Sequence, residues 1–296
     1  MRQARGLGTP IHEALAPGLA AHPGLSGFYS LSDGEDAFAA RIAMIDAASR
    51  ALDVQYYIWN DDVTGRLMFD ALERAADRGV AVRLLLDDNN TRGLDALLAT
   101  LDAHPRIEVR LFNPFRQRTL RLLNYVFDFT RINRRMHNKT LTADGAATIV
   151  GGRNVGDEYF TDKLGNQRTW LDAMVGVRGP AVERLQDVFV EDWCTATDEV
   201  LADTSVPARP VGAVSLGVVC AGPDRDESDL WFAIVQAIGE ARTQVDLSSP
   251  YLVPPSTLLF VLQLAVARGV RVRIFTNGPR TEAAILYHAQ RSYYAR

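Results

Sequence analysis

A helix, a glycine and a valine-rich strand recur in the same order in this chain, and that recurrence limits the fold more than any other feature. Ala75-Ala76-Asp77-Arg78-Gly79-Val80-Ala81-Val82-Arg83 resembles Ala265-Val266-Ala267-Arg268-Gly269-Val270-Arg271-Val272-Arg273 at an offset of 190 residues. Upstream of each copy lie a helical pattern (38–50 and 230–242) and a strand run with tyrosine (Tyr56 and Tyr57; Tyr251). Three elements in matching order point to a duplicated unit. Strands alternating with helices argue an α/β unit built on a largely parallel sheet. The length of 296 residues accommodates two such units at about 100–200 residues each. The expected division is a tail at 1–27, a first domain at 28–201, a linker at 202–213 marked by Pro207 and Pro210, and a second domain at 214–296.

Along the first unit, Ser32 and Glu35 stand at capping-box spacing before a helical pattern at 38–52. A β-rich run follows at 54–59, a helix at 67–78 stopped by Gly79, and a buried strand at 80–86. Asp87-Asp88-Asn89-Asn90 ends that strand and reads as a solvated turn, against the alternative that Asp87 and Asp88, at a strand end where α/β folds place sites, approach a headgroup. A short helix at 94–103 is broken by Pro105 before a strand at 107–112.

Residues 247–267 carry no charge, but Pro250, Pro254, Pro255 and several polar residues make this a strand, a proline turn and a helix rather than a membrane span. The first 19 residues contain Arg2, Arg5, His12 and Glu13 and no apolar core, so they read as a loose, partly ordered tail, not a signal peptide. Two cysteines, Cys194 and Cys220, cannot build a disulfide framework and fit a reducing compartment. The net charge of −4 lacks the basic field of a nucleic-acid binder. The expected location is cytoplasmic, attached to a membrane only at its surface.

The chemistry concentrates at His137-Asn138-Lys139, Asp144 and Gly151-Gly152-Arg153-Asn154. Residues 140–143 and 148–150 read as a hairpin with Asp144-Gly145 in the turn. Side chains two apart on a strand share a face, so His137 and Lys139 are expected to project together. Gly151 and Gly152 let the backbone approach a ligand closely, and Asn154 adds a neutral donor. An imidazole, an ammonium and an amide around one anionic group suit phosphoryl transfer through a covalent histidine. Lys139 and Asn154 would hold the non-bridging phosphate oxygens, while Asp144 is structural support.

This pattern resembles the HKD signature of the phospholipase D superfamily. The stretches at 53–62, 84–91, 104–114, 134–139 and 249–254 are similar to bacterial cardiolipin synthases, most of all the C-type. The resemblance spans nearly the whole chain from Phe28 onward. It implies an α-β-α sandwich in each of two similar halves, each half giving one HKD motif. It further implies a phosphohistidine intermediate, with a second histidine protonating the leaving alcohol. The acceptor would be phosphatidylglycerol and the C-type donor phosphatidylethanolamine, at the inner membrane. No metal or other cofactor is implied.

The sequence departs from the family in one respect. His12, His22, His104 and His288 are not followed by lysine two residues on, so the signature occurs once. The repeat offset would place a second copy near position 327, so the second half is expected to be incomplete. Residues 113–136 carry Arg116, Arg118, Arg121, Arg131, Arg134 and Arg135 against a single acid, Asp128, interleaved with aromatic residues. Arg116, Arg118 and Arg121 are read as headgroup contacts of a lipid-facing lip, against the alternative of a solvated helix face. Tyr159, Phe160, Trp170 and Trp193 are expected in the core. Two rival functions stay open: a phosphodiesterase of the same superfamily acting on phospholipid or nucleic acid, and a non-catalytic headgroup-binding module.

Overall fold

The computed structural model describes residues 8–118, 127–160, 170, 172–197, 228–279 and 284–294. The chain divides into two compact units, the first running to Val218 and the second chiefly from Arg225. The expected linker at 202–213 lies outside the described residues.

In the first unit α1 (Pro10–Ala21) precedes β1 (Gly27–Leu31), α2 (Gly34–Ala47), β2 (Ala51–Tyr56), α3 (Val63–Asp77), β3 (Ala81–Asp87), α4 (Asp95–Asp102) and β4 (Ile107–Phe112). The short α5 (Phe129–Ile132), β5 (Thr140–Ala143), β6 (Ala147–Gly151), β7 (Met174–Arg178) and α6 (Ala181–Thr197) follow. The seven strands form one sheet in the order β1-β7-β6-β5-β2-β3-β4. Among the described strands of this sheet, only β2, β3 and β4 run parallel to one another; the other strand pairs are antiparallel. The expectation of a largely parallel sheet is therefore corrected to a mixed one. Helical crossovers join the parallel strands, whereas the three-residue loop between β5 and β6 can only return the chain antiparallel.

Alternation along β3 shows how the sheet is covered on both faces. Val82, Leu84 and Leu86 join the core beneath α3 and α4, with Val54, Leu72, Leu98 and Ile107. Leu85 points the other way, into a cluster with Phe112, Met136, Phe189 and Trp193 against α6. The result is an α-β-α sandwich.

Several expected boundaries move. The ordered part of the tail is α1: Thr9 caps it by accepting from the His12 amide, and Ile11 packs into the core. Asp33, not Ser32, caps α2, taking the amides of Glu35 and Asp36, and the helix ends at Ala47 because β2 begins at Ala51. Asp62 caps α3 four residues earlier than expected. Asp87 and Asp88 are not in a solvated turn; both are fully buried.

The second unit holds α7 (Ser228–Glu240), β8 (Gln244–Ser248), α8 (Ser256–Ala267), β9 (Arg271–Phe275) and α9 (Ala284–Arg291). Strands β8 and β9 pair in parallel, as β2 and β3 do. The sequence repeat has a physical counterpart. Gly79 and Gly269 both take positive φ, +96° and +85°, to turn the chain from helix into strand. The preceding arginine does the same work in each copy. Arg78 donates to the Ile45 and Asp46 carbonyls at the end of α2, and Arg268 to the Ile238 and Ala241 carbonyls at the end of α7.

Candidate active site

The site lies where β2 and β3 end and β5 begins. His137 and Lys139 are not yet in the strand, which starts at Thr140, so the expectation that one strand projects both is corrected. They meet because the Lys139 side chain folds back: Nζ lies 2.9 Å from His137 Nδ1 and donates to the His137 carbonyl at 2.5 Å. Tyr57, just past β2, supplies the floor. Its ring lies 4.5 Å from the imidazole and 5.1 Å from Nζ, centroid distances that place aromatic surface under both groups.

The intervening residue anchors the motif from behind. Asn138 Nδ2 donates to Asp192 of α6 at 2.8 Å, and Asp192 also accepts from Gln55 of β2 at 2.5 Å. Lys139 continues into the hairpin through its carbonyl, which accepts from the Gly151 amide at 3.3 Å.

Burial sets the protonation states. Lys139 is 4 % exposed, and desolvation pulls its ammonium down to about 7 although Asp172 and Asp87 oppose the shift. His137, on the Tyr57 face and beside Lys139, is pushed down to about 4, first by desolvation and then by the lysine charge. At pH 7 the imidazole is therefore neutral, the form a nucleophile requires.

Asp144 sits at φ +55° in the hairpin turn and is buried. Its carboxylate accepts from the amides of Ser49, Arg50 and Ala51 at 2.8–3.1 Å and from the Ser49 hydroxyl. It ties the hairpin to the α2–β2 turn. Asn154 is equally engaged: Oδ1 accepts from the Ile58 amide at 2.9 Å and Nδ2 donates to the Tyr159 hydroxyl at 2.8 Å. Asn154 is thereby held against the loop that carries Tyr57, with a second amide hydrogen on Nδ2.

The close approach that Gly151 and Gly152 permit is to the protein itself. A Cβ on Gly151 would meet the Ala173 carbonyl and lie 2.6 Å from Met174 Cα, and one on Gly152 would strike the Asp172 carboxylate. Two buried arginines fix this segment. Arg41 donates to the Arg153 and Asn154 carbonyls, and Arg153 to the Tyr159 and Ser32 carbonyls.

The arginines expected at a lipid-facing lip part company. Arg118 is held in ion pairs with buried Asp88 and with Asp95. Arg116 is 75 % exposed, 3.6 Å from Asp128. Arg121 lies outside the described residues. Tyr159, Phe160 and Trp193 are buried as expected, but Trp170 is 39 % exposed, edge-on to Tyr159. Sequence reasoning does not single out Tyr57, Asp172 and Asp192 as site residues, and it reaches Asp87 only through its position at a strand end. Strand alternation does separate Tyr57 from the buried Tyr56. Nothing local marks Asp172 or Asp192.

Residues 42–193, just over half the chain, match the family described as "Cardiolipin synthase, PLD-like domain". The chain is 53 % identical over 198 residues to cardiolipin synthase C of Escherichia coli (strain K12), covering 67 % of this chain and 41 % of that protein. It is 31 % identical over 270 residues to the major cardiolipin synthase of Bacillus subtilis (strain 168), covering 89 % of this chain and 53 % of the relative. The chain thus spans about half the length of these curated relatives. Among solved structures, phosphatidylserine synthase of Haemophilus influenzae Rd KW20 aligns with a TM-score of 0.61 at 12 % identity, covering 96 % of this chain and 72 % of that one.

Proposed function

The chain belongs to the cardiolipin synthase, phospholipase D-like domain family, and from that premise we propose that it takes part in phosphatidyl transfer to phosphatidylglycerol through a phosphohistidine on His137. The observation that carries this reading is the contact between a neutral, solvent-accessible imidazole and a buried lysine, 2.9 Å apart on one aromatic floor.

In the proposed reaction the donor phosphate enters beside His137. Its non-bridging oxygens draw the Lys139 ammonium away from the imidazole, and the freed lone pair attacks phosphorus. An N–P bond forms as the bond to the headgroup oxygen breaks. Lys139 and the second Nδ2 hydrogen of Asn154 offset the charge on the phosphate oxygens. The acceptor hydroxyl then displaces the histidine, its proton passing to the second histidine of the family scheme, and the imidazole is restored. The family scheme has a second histidine protonate the leaving oxygen, and His-x-Lys occurs once in these 296 residues. Phosphatidylethanolamine is the proposed donor. Among the described residues no helix is long and apolar enough to cross a membrane, and we propose attachment at the surface of the cytoplasmic membrane, with phospholipid rather than nucleic acid as partner.

The test is a trapping experiment. Vesicles of labelled phosphatidylethanolamine and phosphatidylglycerol are mixed with the chain and quenched in alkali. An acid-labile, alkali-stable adduct on the wild type that disappears in His137→Ala supports the reading. An adduct or cardiolipin that persists in His137→Ala refutes it.

A further inference from the structure

The excursion between β4 and β5, residues 113–139, is gripped at both ends by two consecutive residues of β3 and the turn after it. Asp88 holds the entry: its carboxylate accepts from the Phe115 amide at 2.7 Å and pairs with Arg118 at 3.1 Å. Asp87 holds the exit: its carboxylate accepts from the Met136 amide at 3.0 Å and pairs with Arg135 at 3.3 Å. The two ends also hold each other. Asn113, at φ +48°, donates to the Arg131 and Arg134 carbonyls at 2.7 Å, and the Arg135 guanidinium lies 4.8 Å from the Phe115 ring centroid.

The exit contact is one peptide bond from His137. Met136 is itself buried between β3, β4 and α6, so its amide and side chain together set where the His137 backbone begins. A neutral acceptor would suffice to satisfy one amide. A fully buried carboxylate facing Arg135 from the excursion and Lys139 from the motif does more, because its charge is felt by both. The neighbouring Asp88 is turned to Arg118.

On the reading of His137 as nucleophile, we infer that Asp87 is a positioning residue for the His137–Lys139 pair, acting through Met136 and Arg135, and that its protonation releases the pair. Burial raises the Asp87 carboxyl to about 6 against the opposing pull of Arg135 and two backbone amides. The imidazole, held down at about 4, is neutral well below that point. Lys139, brought down to about 7, titrates in the same range, so a limb near pH 6 belongs to Asp87 where it persists in Lys139→Arg and is lost in Asp87→Asn.

The experiment follows the imidazole Cε1–H resonance of His137 by NMR in the full 296-residue chain, assigned by its loss in His137→Ala, between pH 5 and 8. The wild type is expected to show an inflection near pH 6 beside that of Lys139 near 7; Lys139→Arg, whose guanidinium does not titrate in this range, should keep the lower one, Asp87→Asn should lose it, and Asp87→Glu should keep a displaced one. An inflection near pH 6 unchanged in Asp87→Asn, or absent from Lys139→Arg, overturns the inference. Should Asp87→Asn fail to fold, hydrogen exchange of the Met136 amide in the wild type decides. After correction for intrinsic rates, its protection should fall at least fivefold from pH 7 to 5 while that of Val54 holds; equal protection at both overturns the inference. Failure of the adduct experiment would remove the nucleophile reading but leave this titration standing. A titration without Asp87 would remove only the inference.

Discussion

Replacing Asp144 separates a structural carboxylate from a reactive one. In the fold it receives three backbone amides and one hydroxyl from the turn between α2 and β2. Hydrogen bonds to a charged group contribute about 1.5–3 kcal/mol each, and these four share one acceptor, so Asp144→Ala should cost about 4 kcal/mol rather than their sum. The left-handed φ of +55° adds roughly 1 kcal/mol for alanine. Asparagine tolerates that conformation and keeps one acceptor oxygen, so Asp144→Asn should cost roughly half as much, about 2 kcal/mol. For a unit of this size each kcal/mol moves Tm by about 2–4 °C, which places the alanine variant some 10–20 °C below the wild type. The assay is urea denaturation with calorimetry, run beside adduct formation at a temperature where all variants are folded. A loss of under 1 kcal/mol in Asp144→Ala would refute the argument. So would an Asp144→Asn chain of full stability that forms no adduct, since the carboxylate would then act in the chemistry.

Three further outcomes follow from the same geometry. Gly151→Ala should destabilise by about 2–3 kcal/mol because its Cβ meets backbone, whereas Gly152→Ala meets a side chain that can turn and should cost under about 1 kcal/mol, both read from denaturation midpoints. Sulfate binding at the site should weaken about tenfold from pH 6 to 8, as Lys139 loses its proton near 7, and Lys139→Arg should flatten that dependence in titration calorimetry. Arg118→Gln leaves buried Asp88 short of a partner and should lower stability by more than about 1 kcal/mol, while exposed Arg116→Gln should leave stability within about 0.5 kcal/mol and weaken sedimentation with anionic vesicles.

The sequence alone determined the α/β character, the recurring helix–glycine–strand unit, the hairpin around Asp144-Gly145 and the close spacing of His137 and Lys139. All of these are written in periodicities of 2 and 3.6 residues or in spacings within a few positions, where chain geometry leaves little choice. The tertiary structure decided what lies far apart in sequence. It paired β2 antiparallel with β5, sent the Asp144 carboxylate to Ser49, Arg50 and Ala51, and buried Asp87 and Asp88 against both ends of the excursion. It also turned Arg118 inward from an expected lipid contact to an ion pair, and Gly151 and Gly152 from ligand approach to strand packing. A carboxylate looks the same in sequence whether it faces water or a buried amide. Only the partner, here 49 positions away for Met136 and 95 for Ser49, gives it its role, and chain folding alone brings that partner within hydrogen-bonding distance.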